Sequence, residues 1–279
     1  VISRVTSALL RAVLVGLLVA LPSLLLPGTE ADTAQIVIVL AILAFFLTFV
    51  DYYGRYPSII EFRFAPPYNR LRFTALALTV LGLSLITRGQ AEPTALTEAL
   101  ADYGNVLGRA IDFPYSPVRL VVLMMPPDAD PEMVAALRTA AGVSYAVSLT
   151  MLAVFIVMVR LFGWPVRNGA FNVWVNLPLF DPTRGGDVLK RLKRDAGLNV
   201  VLGILLPFFF PALVRVGGAM FDPLALSNPQ AMIWTMTIWA FLPASILMRG
   251  IAISRIADLI EEKRRRAYAR AETELLQRA

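Results

Sequence analysis

Two of the side chains that most often do chemistry are missing, because the chain contains neither His nor Cys. Haem with a His or Cys axial ligand, cysteine-ligated iron–sulfur clusters, ordinary zinc sites, thiol chemistry and His proton relays therefore have no ligands or relays to use. A metal site of carboxylate or carbonyl oxygens survives that exclusion. With no cysteine, the sequence is silent on the redox compartment of its loops. The remaining candidates are cationic and aromatic, and they fall in two segments. The first, Asp51 to Arg70, reads DYYGRYPSIIEFRFAPPYNR. It sets Tyr52, Tyr53 and Tyr56 among Arg55, Arg63 and Arg70, with Arg72 just beyond. Amphipathic rings prefer headgroup level and guanidinium groups pair with phosphate, so this loop is expected to lie on a membrane surface. The same residue types are enriched where proteins dock, which keeps partner contact open. The basic residues do not gather on a recognisable module, so nucleic acid is not an expected partner.

The second segment, Gly163 to Asn199, carries Trp174, Arg184 and the basic run Lys190, Arg191, Lys193 and Arg194. Asp181-Pro182-Thr183-Arg184-Gly185-Gly186 is a turn by composition, and Asp187 is placed to cap a short basic helix running to about Asp195. A Gly-rich turn before a helix N-terminus can hold an anion. The G-x-x-x-x-G-K-[ST] spacing of a phosphate loop is absent, so anionic lipid headgroups are the expected contact, at roughly 1 kcal/mol for each basic residue near the surface. Were the protein a lipid-modifying enzyme, Arg184, Lys190 and Asp181 or Asp187 would form its headgroup site. Phe171 to Phe180 alternates partly as a strand does, with Val173, Val175 and Leu177 on one side and Trp174 on the other. It could pair with Ile59 to Phe64 as a small cytoplasmic two-stranded cap.

The elements that position these segments are membrane helices. Of 279 residues, 57% are hydrophobic and 16% charged, with a mean hydropathy of +0.67, which leaves too little polar surface to cover a soluble domain of this size. A spanning helix needs about 20 mainly apolar residues. Six stretches come close: 9–26, 34–50, 71–86, 141–162, 198–216 and 231–253. The third is short and must borrow flanking residues or tilt in a thinned bilayer. The chain thus reads as one all-α integral membrane domain with six transmembrane helices.

Lys and Arg are held on the cytoplasmic side during insertion. With the N-terminus inside, 21 of the 26 basic residues fall on the cytoplasmic side, leaving Arg88, Arg109, Arg119, Arg138 and Arg215 outside. Both termini are therefore expected to be cytoplasmic. Arg4 and Arg11 ahead of Val13 to Leu26 also fit a cleaved signal peptide, but Thr29-Glu30-Ala31 is a poor cleavage site, and an uncleaved first helix is preferred. All but three of the basic residues are Arg. By codon usage that composition points to a GC-rich bacterial genome, and so to a bacterial inner membrane.

Thr87 to Ala140 is too long for an idle connection and is expected to form a periplasmic platform. Thr94 to Ile111 has apolar residues at helical spacing, which predicts an amphipathic helix whose apolar face rests on the bilayer or on another protein. Val118 to Met125 fits a strand, an interfacial segment or a shallow re-entrant piece. Asp130-Pro131-Glu132 reads as a helix start, and no proline interrupts the chain from there to Phe162. After the sixth span, residues 249–279 should form a cytoplasmic helical tail, with Glu261–Arg265, Glu262–Arg266 and Glu274–Arg278 spaced for i, i+4 pairing.

Ionisable groups at mid-membrane usually mark ion paths or active sites. The deep polar residues here are hydroxyls. Arg11 and Arg215 sit near helix ends, from which they can snorkel. Pro207 and Pro211, four residues apart, mark either a packing kink or a bend around a cavity. No catalytic residue, cofactor or metal is expected. The first expectation is a non-enzymatic subunit or assembly factor of a larger inner-membrane complex, in contact with anionic headgroups and other membrane proteins. A permease component driven by a separate ATPase, and a lipid-modifying enzyme, are the alternatives.

Overall fold

The computed structural model describes residues 2–28, 31–56, 58–165, 176–180, 185–216 and 226–278. Its helices are α1 (Ile2–Leu25), α2 (Ala31–Tyr53), α3 (Tyr68–Ala91), α4 (Ala95–Ile111), α5 (Pro117–Val122), α6 (Pro131–Leu161), α7 (Val188–Val216) and α8 (Pro229–Arg278). No strand occurs among the described residues. Six helices, α1, α2, α3, α6, α7 and α8, are long and apolar enough to cross a membrane. The short third stretch lengthens at both ends to 24 residues, about 36 Å of helix.

Helix α8 is the centre of the bundle and packs against α7, α6 and α3. Helix α1 joins the bundle through α3, whereas α2 packs substantially only on α1. Two seams are built on glycine, which lets helix backbones approach closely. A Cβ on Gly142 of α6 would stand 2.5 Å from the Cα of Gly108 in α4, and one on Gly203 of α7 would stand 2.8 Å from the Cα of Leu247 in α8. The amphipathic helix α4 therefore buries its small face, Thr97, Gly104 and Gly108, and leaves Leu96, Tyr103 and Val106 exposed.

Local capping places the helix starts. Thr94 and Thr97 form a reciprocal capping box on α4, and the Asp130 side chain accepts from the Glu132 amide at the start of α6, as its sequence predicts. Ser116 caps α5, with Pro117 in its first turn. Within Val118 to Met125, for which strand, interfacial and re-entrant forms were open, the residues up to Val122 are thus part of a short helix with Val118 and Val121 fully covered. Arg215, near the far end of α7, donates to the Leu123 carbonyl at the end of α5.

The two prolines of α7 are buried. Pro211 has no N–H to offer the carbonyl of Pro207 one turn earlier. The Trp239 indole N–H of α8 fills that place at 3.1 Å, which ties the proline pair to a neighbouring helix.

One hydrophobic cluster occupies the end of the bundle that carries the start of α1, the α2–α3 loop and the start of α7, referred to below as the basic end. Phe62, Tyr68, Phe155 and Trp164 interlock there, with Phe62 and Tyr68 ring centroids 4.4 Å apart and Phe155 and Trp164 5.1 Å apart. The Trp164 indole N–H donates to the Ala65 carbonyl at 3.1 Å. This ring cluster draws Phe62 inward, and residues 61–64 form turns, with Phe62 at a φ of 54° and Ile59 and Phe64 left exposed, where an extended strand was considered. Asn176 meets that loop, accepting from the Phe62 amide at 2.7 Å and from the Phe64 amide at 3.0 Å. The proposed partner strand lies largely outside the described residues.

Candidate functional site

The α2–α3 loop is held by one carboxylate and one guanidinium. Asp51, in the last turn of α2, accepts from the Ser58 amide at 2.8 Å, the Ser58 hydroxyl at 2.7 Å, the Ile59 amide at 3.1 Å and the Ile60 amide at 3.0 Å. These bonds satisfy amides that the turn would otherwise leave without partners. Arg63 does the converse for carbonyls at the end of α2. It donates to those of Asp51, Gly54 and Arg55, and Arg4 donates to Gly54 as well. A cation at a helix C-terminus also faces the negative end of the macrodipole. Burial lowers the Arg63 pKa from the usual arginine range, against the opposing pull of Asp51. Arg63, expected on the surface, is thus a half-buried helix cap. Tyr53, Arg55 and Tyr56 are exposed, and Tyr52 lies under the Arg11 guanidinium at 4.6 Å.

Beside this loop a cleft of about 960 Å³ opens between α1, the end of α2 and the start of α3. Arg11, Arg63, Arg70 and Arg72 line it, together with apolar side chains that include Leu10, Leu14 and Phe73. No carboxylate lines it. Among the described residues, none of the four arginines makes an ion pair. Arg72 reaches the Ser245 hydroxyl at 3.4 Å and stands 5.6 Å from the Tyr68 ring. The adjoining first turn of α3 has no side-chain cap, which leaves the positive end of its dipole facing the same region.

A second cleft at the basic end, about 740 Å³, mixes both signs of charge. Lys190, Arg191, Arg194 and Arg249 line it beside Asp187 and Asp195. Asp187 accepts from the Leu189 amide at 3.1 Å, the capping role expected of it, and also from Arg264 at 3.0 Å. Its pKa is lowered, first by the Arg264 hydrogen bond and then by that amide. Arg191 stacks 4.9 Å over Phe180, while Lys193 turns away to pair with Glu261 at 2.7 Å. Glu261 was expected to pair with Arg265. Glu262–Arg266 forms as its spacing predicts, and Glu274–Arg278 lies outside the described side chains. Trp174, Arg184 and Asp181 lie outside the described residues.

Between the clefts stands an ion cluster that local spacing could not reveal. Arg249 of α8 donates to both oxygens of Glu61, at 2.6 and 3.0 Å, and to Asp195 of α7 at 3.2 Å. Glu61 is 7% exposed. Asn69 donates to the Glu61 carbonyl at 2.7 Å and Asn199 to the Asp195 carboxylate at 2.9 Å. The only clues in the sequence were a lone Glu in an aromatic loop and an Arg just inside the sixth apolar stretch. At the opposite end of the bundle Asp112 ties Arg119 and Arg138 at 2.9 and 2.8 Å, joining α4, α5 and α6.

No family model, curated protein or solved structure matches the chain. Chemistry alone must therefore assign the basic end. Its two clefts converge guanidinium and ammonium donors, and guanidinium forks match phosphate and carboxylate geometry.

Proposed function

We propose that the protein is a non-enzymatic membrane subunit that holds a larger inner-membrane assembly together, with its basic end in the cytoplasm. The observation that supports this reading is the length of α8. Its 50 residues make a helix about 75 Å long, far more than a bilayer requires. Ile260 still packs on the bundle and Arg264 reaches Asp187, but the side chains described from Arg265 onward are exposed, so about 21 Å of helix projects with no described residue outside α8 bonded to it. An isolated helix of that length is marginal in water, and i, i+4 pairs add only about 0.2–0.5 kcal/mol each. Tyr268 and Leu276, both largely exposed, give a partner apolar contacts along the arm. The exposed apolar residues of α4 offer a second contact on the periplasmic side. The same basic end rests against anionic headgroups through Lys190, Arg191 and Arg194.

Truncation after Arg264, which keeps the Asp187 contact, tests the proposal. Purified in mild detergent, the full chain should carry a second protein at fixed stoichiometry, and the truncated chain should lose it while unfolding at the same temperature. A full chain that runs as a single species, or a truncated chain that keeps the same partner, would overturn it.

A further inference from the structure

We infer that the arginine cleft between α1, α2 and α3 holds the phosphate of one anionic phospholipid, whose acyl chains descend between α1 and α3. Four guanidinium groups line the cleft with no carboxylate among them, so its charge is uncompensated by its own walls. The Asp51 carboxylate, which couples to Arg63, is turned to the amides of Ser58, Ile59 and Ile60. Arg70 is an exposed donor without an ion-pair partner among the described residues, while Arg63 spends its terminal N–H groups on backbone carbonyls and adds its charge. Such donors bind charged phosphate oxygens more strongly than neutral acceptors.

The order of residues selects an amphiphile over a free anion. Both α1 and α3 run away from the basic end. On α1, Arg11 precedes Leu14 and Val15, and on α3, Arg70 and Arg72 precede Phe73. Leu10 and the loop residues Ile59, Ile60 and Phe64 also line the cleft, so apolar wall flanks the charge and continues past it to Leu14 and Val15; a lipid can use both, whereas inorganic phosphate would leave the apolar wall uncovered. The volume, about 960 Å³, is at the upper end of the range that encloses a small-molecule ligand. A lipid seated there would also bridge the α1–α2 hairpin to the bundle, where α2 itself has little protein contact. The inference is independent of the α8 arm and of any partner bound to it.

The test is a titration of the delipidated full chain in detergent with phosphatidylglycerol, phosphatidylcholine or inorganic phosphate, read by native mass spectrometry. Phosphatidylglycerol should bind at one saturable site, at least tenfold more tightly than phosphatidylcholine. Arg70→Gln with Arg72→Gln should weaken it about 30-fold, from about 1 kcal/mol per basic residue. The Arg→Lys pair should retain most of the binding. A charge-matched pair in the other cleft, Lys190→Gln with Arg194→Gln, should change it less than threefold. If the double Gln variant does not fold, Arg70→Gln alone decides, with about a fivefold loss expected. Equal binding of the two lipids, an equal loss from the Lys190 and Arg194 changes, or displacement of the lipid by inorganic phosphate would each overturn the inference.

Discussion

Glu61 shows what a single buried carboxylate can do when its oxygens are fully used. It lies in the α2–α3 loop, yet its bidentate contact with Arg249 pins that loop to α8. Breaking such a pair leaves a charge without its counterpart, which costs more than the pair itself contributes. Glu61→Gln should therefore destabilise the fold by about 2–3 kcal/mol in detergent-based thermal unfolding. Glu262→Gln, which removes an exposed i, i+4 pair, should stay within about 0.5 kcal/mol. Equal shifts for the two variants would remove the argument that burial makes the difference. The position of Asp51 at the end of a helix is legible from its place after an apolar run. Its four donors are not, because all of them belong to residues 58–60, in a loop whose path is set by the Phe62, Tyr68 and Trp164 rings. The Glu61–Arg249 pair spans 188 residues, and no periodicity operates over that distance.

At the level of elements, α7 and α8 form the most extensive seam, and the proline pair illustrates how it is joined. The Trp239 indole replaces the backbone donor that Pro211 lacks. Trp239→Phe should thus cost about 1–2 kcal/mol through an unsatisfied buried carbonyl. In a Pro211→Ala background the amide at position 211 returns to the Pro207 carbonyl, and the same Trp change should cost about 1 kcal/mol less. The four-member cycle is measured by unfolding in one detergent, and a coupling of zero would mean that the indole serves packing alone. The extent of the helices follows from hydropathy and from caps that act within a turn, so Thr94 and Asp130 were readable signals. The face that α4 buries was not. Its large apolar residues drew the eye, while its contact face is glycine, selected by how closely the α6 backbone approaches.

For the whole molecule, the proposed orientation rests on charge: 21 of 26 basic residues share one side if six passes begin inside. Reporter fusions check it directly. A periplasm-dependent phosphatase should be active when inserted at Tyr115, which is 88% exposed between α4 and α5, and inactive at Gly185 or after the last residue. The reverse pattern would invert the molecule and place the basic end and the α8 arm outside the cytoplasm. An active reporter at both Tyr115 and the C-terminus would mean an even number of passes between them instead of three, and with the N-terminus inside an odd total.

Length and hydropathy by themselves determined that the chain is a bundle of six apolar helices, because a segment's preference for lipid depends on its own side chains and little else. They also placed most of the basic residues in the loops and the tail. Only the tertiary structure decided what each basic residue does: Arg63 caps a helix, Arg249 is paired and buried, and Arg11, Arg70 and Arg72 meet across a cleft without a counter-charge. Electrostatic pairing falls off with distance in space, and α1, the α2–α3 loop, α7 and α8 become neighbours only when the bundle packs.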